Sequence, residues 1–459
     1  MLSPTKYKLK RFLWRLLFSF VFGCLLVLAT LFLSEEISWD QFKNTIWNIL
    51  SALIRAWQFW VFIMLLMGMV EAIAYFVDVY KNGGIVRLVY RFTGLVIAPV
   101  VVLMVLFNLS QSYVNGEDYE YTWNHTVENI SECASSAYEN DYKQRGIHVF
   151  GKIDDLTLRP LIQNNIEWIT LAPFIGQNHV EGSLNNLSLD PRQRNKDSIL
   201  IEKITLAHNR GLSVFLKPHI WLSEGDGKWR SDIFPKNDNV WKSWSANYQE
   251  HLLHFAKIAE QNGVELLCVG TELARLSTQK PDFWKQLIAK IRTVYSGQLT
   301  YAANWDQEYD IISFWEDLDF IGIQAYFPLV GNGNTNLKDM ENGWKKYSKN
   351  IKTVSQKFDK PVIFTELGYK STEDAAARPW RWVTIYDRLF TKVSFKTQAI
   401  AYKAFFNTIW KEDWFYGVHI WKWQAKAPNG IFEKNHDFTP QNKPAQNIIA
   451  AGFATKIEK

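Results

Sequence analysis

From Gly146 to Trp423 the sequence keeps returning to one unit: a short apolar run rich in β-branched residues, followed by a longer stretch of helical character. Eight such runs occur, at 146–151, 168–173, 212–219, 266–271, 299–304, 320–326, 361–366 and 417–423. Helix-patterned segments lie between them, among them 198–208, 241–262 and 281–295. Leu252, Leu253, Phe255 and Ile258, then Phe283, Leu287, Ile288 and Ile291, recur at three- and four-residue spacing. Eight strands alternating with helices over roughly 300 residues predict an α/β chain folded as a (β/α)8 barrel, spanning 145–459. The rival, a doubly wound open sheet, lacks its glycine-rich phosphate loop after the first run.

A parallel barrel presents its chemistry at the C-terminal ends of its strands. Two ends share one form: Leu266-Leu-Cys-Val-Gly-Thr-Glu272, and Pro361-Val-Ile-Phe-Thr-Glu366 with Gly368 just beyond. A single strand-end glutamate reads first as a solvated carboxylate. Two of them on non-adjacent strands of one barrel are what glycosidic bond cleavage requires. The other ends offer Lys217 and His219 with Trp221 and Trp229 beyond, Asn304 and Trp305, Tyr326, and finally Trp421 and Trp423. Taken singly, the histidine reads as a hydrogen-bonded structural group and each indole as rim packing. Together they form a sugar-binding inventory, with apolar ring faces for pyranose C–H surfaces and polar tips for hydroxyls.

The aromatic content points the same way, with 21 Trp, many of them beyond residue 220. A net charge of +5 without a Lys/Arg block or zinc-finger spacing argues against a nucleic-acid partner. No HExxH or comparable cluster suggests a metal, and the three cysteines form no CxxC pair or disulfide framework.

Lys217-Pro-His219 with Trp229-Arg230, Cys268-Val-Gly-Thr-Glu272, Leu299-Thr-Tyr-Ala-Ala-Asn-Trp305, Gly322-Ile-Gln-Ala-Tyr-Phe-Pro328 and Phe364-Thr-Glu-Leu-Gly-Tyr369 occur in that order. With the closing Phe438-Thr-Pro-Gln-Asn-Lys-Pro-Ala445, they resemble glycoside hydrolase family 113 over about residues 145–455. The resemblance implies a retaining barrel glycosidase of β-mannanase type, acting without a cofactor on a mannan-like oligosaccharide or polysaccharide. It implies Glu272 as acid/base, Glu366 as nucleophile, Tyr326 as the group holding Glu366, and Trp423 as the platform under the sugar. A glycosidase for another β-linked hexose would share this chemistry. A carbohydrate-binding or scaffold subunit of a membrane complex would keep the barrel without turnover.

Residues 1–110 differ in kind and predict a membrane region with spans at about 12–33, 58–77 and 87–109. Ile37 to Trp57 is amphipathic and suits the bilayer surface. Basic residues before the first span and at Lys81, Arg87 and Arg91 place those segments in the cytoplasm by the positive-inside rule. The barrel then lies on the far side of a bacterial inner membrane, after an extracytoplasmic linker at 111–144. Glu71 within the second span suggests a membrane-protein partner.

Overall fold

Eight parallel strands close into a barrel in the computed structural model, which describes residues 57–114, 125–135, 137–187, 192–224, 227–333, 336–425, 436–455 and 457. Among the described residues ten strands occur: β1 Gln144–Phe150, β2 Trp168–Leu171, β3 Phe174–Gln177, β4 Ser213–Leu216, β5 His219–Leu222, β6 Leu266–Thr271, β7 Gln298–Asn304, β8 Phe320–Gln324, β9 Val362–Leu367 and β10 Phe415–Gln424. The barrel runs β1-β10-β9-β8-β7-β6-β4-β2, while β3 and β5 pair as a separate parallel two-stranded sheet.

Each of the eight apolar runs contributes a barrel strand. The third is shorter than the run 212–219 suggested. Proline lacks an N–H and cannot continue a ladder, so β4 stops before Lys217-Pro218. The chain resumes as β5, with the His219 amide donating to the Pro173 carbonyl (2.9 Å). His219 therefore belongs to a small sheet above the barrel, together with Phe174.

Alternating strand residues divide the core. Ile147, Ile169, Val214, Leu267, Val269, Leu299, Ile321, Phe364 and Val418 share one large cluster with the helix residues Leu252, Phe255, Leu287, Ile288 and Ile291. Trp168, Phe215, Leu266, Cys268, Ala302, Phe320 and Ile363 form a second, inner cluster that plugs the barrel. Next to it, His419 bonds to Thr170 (2.7 Å) and Gln144 (2.9 Å), and His148 donates to the Thr365 carbonyl (2.9 Å). Burial pushes both imidazoles well below their ordinary range, so these interior rings are neutral.

Three strands carry register shifts near their C-terminal ends. On β6, three residue steps (Cys268 to Thr271) oppose two on β7. On β9, Phe364 to Glu366 opposes a single step on β8. On β10, Ile420 to Trp423 opposes two steps on β1. An extra residue in a strand inverts the facing of everything after it. Glu272, Glu366 and Trp421 all lie at these irregularities.

The chain divides into two units, 1–105 and 106–459. Trp57–Phe92 continues through a π-helical turn, Thr93–Ile97, into Ala98–Val114, of which residues 106–114 fall in the second unit. Among the described residues one helical run, Gly68–Val114, is long and apolar enough to cross a membrane. By that measure the expected spans at 58–77 and 87–109 count as one run rather than two. The run is broken at Gly84, whose φ of 68° and ψ of −175° suit a residue without a side chain. Phe76 and Phe92 meet with ring centroids 5.3 Å apart, whereas sixteen residues of unbroken helix would separate them by about 24 Å. The run therefore turns back on itself at Gly84. The expected span at 12–33 lies outside the described residues.

In the second unit, Val114 is buried against Val393 and Phe395, and its carbonyl accepts from the Val393 amide at 2.8 Å. Beyond it, the Asn129 amide donates to Gln163 O (3.1 Å) and the Ala134 amide to Arg210 O (2.8 Å). Part of the segment 111–144 is thus packed onto the barrel.

Candidate active site

Residues from the barrel's C-terminal ends line one cleft of about 950 Å³. Glu272, His219, Trp221, Trp229, Asn304, Trp305, Tyr326, Glu366 and Trp421 all face it, which brings most of the expected site residues together. Lys217 is fully buried beneath it and joins the site through Glu366.

Trp423 is placed elsewhere. It lies in the cluster between barrel and helices, away from the cleft. Trp421 and Trp423 are two apart and would share a face on a regular strand. The extra residue on β10 turns Trp423 outward with Ile420 and leaves Trp421 facing the mouth. Of the two, Trp421 is the one at the cleft, where it lies nearly parallel to His219 (centroids 6.5 Å, 10°) and edge-on to Phe150 (5.0 Å).

The two carboxylates have different surroundings. Glu366 accepts from Lys217 Nζ on Oε1 (2.5 Å) and from Tyr326 Oη on Oε2 (2.7 Å). Lys217 is itself held by Gln324 Oε1 at 2.5 Å. Burial and the neighbouring Glu366 charge push the Tyr326 phenol well above its ordinary range, so it remains a donor. Both Glu366 oxygens are engaged by donors, as suits a carboxylate held in one orientation.

Glu272 follows β6 with φ of 55°, and its amide donates to Ala302 O at 2.9 Å. All of its side-chain bonds among the described residues fall on Oε2: Trp229 Nε1 at 2.9 Å, Arg230 Nη2 at 2.8 Å and Arg230 Nε at 3.2 Å. Arg230 also donates to His219 Nδ1 (3.3 Å), which leaves the imidazole proton on Nε2, 3.8 Å from Glu366 Oε1. Burial, with Lys217 and Arg230 close by, keeps His219 well below its ordinary range and neutral.

A third buried carboxyl braces this arrangement. Glu308 accepts from the Asn304 amide (2.6 Å), Ser277 Oγ (2.7 Å) and Tyr301 Oη (2.6 Å). Tyr301 Oη in turn accepts from the amide of Leu273, the residue after Glu272 (2.9 Å).

Sequence reasoning left out Trp380, Trp382 and Glu308 as site residues. Arg230 and Gln324, both within the strand-end motifs, hold Glu272 and Lys217 respectively. Trp380 and Trp382 lie beyond β9, half exposed at the cleft. Trp380 meets Trp305 at 5.2 Å and Trp382 meets Trp421 at 6.3 Å. A pair of tryptophans in an otherwise polar strand-to-helix connection was the available signal. No group of three or more His, Cys, Asp or Glu side chains suited to a metal ion occurs among the described residues.

The model of Glycoside Hydrolase Family 113 matches residues 113–443. The chain belongs to glycoside hydrolase family 113. A solved family 113 β-1,4-mannanase shares 26% identity with it at a TM-score of 0.58, covering 68% of this chain and 98% of that one. The family 113 β-mannanase AaManA of Alicyclobacillus acidocaldarius, solved in complex with ManMIm, shares 25% identity at a TM-score of 0.58, covering 68% and 97%. No protein of curated function matches the chain. Family membership makes O-glycosyl hydrolysis its chemistry, on the barrel that the strand order shows.

Proposed function

We propose that the protein is a membrane-anchored retaining β-glycosidase of mannanase type, with Glu272 as acid/base and Glu366 as nucleophile. The observation that carries this is the pairing of two carboxylates in one aromatic cleft with unlike partners. Glu366 is gripped through both oxygens by Lys217 and Tyr326, and is poised to attack. Among the described residues Glu272 is steadied through Oε2 alone, which leaves Oε1 to carry the transferable proton. In the first step Glu366 forms a bond to the anomeric carbon while the glycosidic C–O bond breaks and Glu272 protonates the departing oxygen. In the second, Glu272 takes a proton from water, the water oxygen bonds to the anomeric carbon, and Glu366 leaves. Trp421 supports the sugar ring, with Trp305 and Trp380 extending the aromatic surface. β-1,4-mannosides are the preferred substrate because both family 113 neighbours are described as mannanases.

Two alanine variants separate the roles. Glu366→Ala removes the nucleophile and should abolish hydrolysis of every glycoside. Glu272→Ala removes proton donation, so an aryl mannoside with an acidic phenol should still react and then stall at hydrolysis of the intermediate. Azide needs no general base. It should restore turnover of Glu272→Ala and give a β-glycosyl azide, whereas Glu366→Ala with azide should give the α-azide from a β-glycoside. Unchanged activity of either variant on a natural oligosaccharide would sink the assignment.

A further inference from the structure

The apolar run Gly68–Val114 does not end free, because its last residues, from Leu106 on, belong to the barrel unit. Ser110 and Gln111 lie four and three residues before Val114, on one helical face. That face docks on the connection after β9, where a short helix spans Ile385–Phe390. The last carbonyls of a helix lack partners within it. Here Ser110 Oγ donates to the Leu389 carbonyl and Gln111 Nε2 to the Arg388 carbonyl (3.3 Å). With Val114 buried against Val393 and Phe395, these bonds fix Ile385–Phe390 beside residues 110–114. The rest of this helix end is apolar and exposed, at Leu106, Phe107, Leu109 and Tyr113.

The level of that junction in a bilayer follows from chain length. No charged residue occurs between Arg91 and Glu117. A hydrocarbon core of about 30 Å takes about 20 helical residues, so a span counted from Arg91 ends at about residue 111. At the same level the helix Ile385–Phe390 shows an inverted surface. Ile385 is 79% exposed, and Tyr386 and Phe390 are exposed with their rings 5.0 Å apart. Asp387, its one acidic residue, is turned inward instead. It accepts from Arg381 (2.7 Å) and from the amide and hydroxyl of Thr384 (both 2.8 Å). A helix on the surface of a soluble domain turns its apolar side in and its charges out. A cluster facing the other way marks a contact surface, and tyrosine is favoured at the boundary between lipid and water.

We propose that Ile385, Tyr386 and Phe390 are a second membrane contact of the barrel, seated at the boundary between headgroups and acyl chains where the apolar run leaves the bilayer. The inference rests on the membrane-anchored reading above. Lipid is the occupant because the hydrogen bonds to Ser110 and Gln111 hold this helix where the span ends. The barrel is then attached at two points, which fixes its tilt on the bilayer. Trp382, at the cleft, precedes Ile385 by three residues, at most about 11 Å of extended chain. That edge of the cleft is thereby kept at the membrane surface, in reach of glycans displayed there.

The test uses the unmodified full chain in vesicles of phosphatidylcholine. A small fraction of the lipid carries an aryl diazirine near the glycerol end of one acyl chain. Irradiation, digestion and mass spectrometry then map the peptides that carry lipid adducts. Adducts should appear on 385–390 as well as on 92–110, while the outer helix Pro281–Arg292 carries none. Adducts on 92–110 with none on 385–390 overturn the contact, and the apolar cluster then faces another occupant, such as a protein. Equal labelling of 281–292 and 385–390 overturns it too, since lipid would then touch the barrel without preference. If 92–110 carries no adduct, the membrane-anchored reading itself fails and the contact falls with it.

Discussion

Glu308 joins the two strand ends that build the cleft, through the Asn304 amide and Tyr301 of β7 on one side and Ser277, beyond β6, on the other. Burial lifts its carboxyl from 4.5 to about 7. Below pH 4.5 the folded and unfolded states both hold the proton. Between 4.5 and 7 only the folded state does, so stability falls as pH rises across that window, by up to about 3 kcal/mol. Glu308→Gln keeps the shape without the titration. Its stability should lack this fall and should exceed that of the wild type at pH 8, as read by denaturant melts across the range. A variant whose curve tracks the wild type from pH 4.5 to 7 would show that Glu308 does not carry the effect. Nothing in the local sequence marks this residue, because its importance comes from partners on β7 and on the segment after β6.

At the scale of elements, the extra residues on β6, β9 and β10 decide which side chains face the cleft. Trp421→Ala should lower kcat/KM by roughly 2–4 kcal/mol with little change in melting temperature, as expected for a central aromatic anchor. Trp423→Ala should do the reverse, costing about 3–5 kcal/mol of stability through a core cavity while the purified folded fraction keeps near-normal kinetics. Exchange of those two phenotypes would mean that β10 has no such shift. The strands also approach closely at Gly322 on β8. A Cβ there would sit 2.2 Å from the Tyr301 carbonyl and 2.6 Å from Thr300 Oγ1. Backbone cannot retreat as a flexible side chain can, so Gly322→Ala should destabilise by about 2–3 kcal/mol in denaturant melts.

For the whole molecule, Val114 belongs to the barrel unit although it ends the long helical run. A chain beginning at Leu106 should fold and retain hydrolysis. One beginning at residue 115 should lose about 1.5–3 kcal/mol with the buried valine, together with the Val393 hydrogen bond. Equal stability of the two truncated chains would show that this contact contributes little. The charge bias around the apolar segments gives a topology expectation, with residues 111–459 outside the cytoplasm. Protease added to intact spheroplasts should remove the barrel, and protection of the barrel there would overturn that orientation.

The alternation of eight apolar runs with helix-patterned segments was enough to specify the barrel, because short apolar runs and a three-to-four-residue period are local properties of the chain. The same alternation located both glutamates at strand ends, since parallel strands in a barrel all point one way. Which residues enter the cleft was decided only in three dimensions. Register shifts set facing, and they arise from how neighbouring strands pair rather than from the composition of any one strand. Pro218 ended β4 early and carried His219 into another sheet, where pairing with Phe174 placed it. Arg230, Trp380 and Trp382 reach the site along connections whose course no periodicity encodes. The partners of Glu366 lie 149 and 40 residues away in sequence, at Lys217 and Tyr326, and only closure of the barrel brings them to its two oxygens.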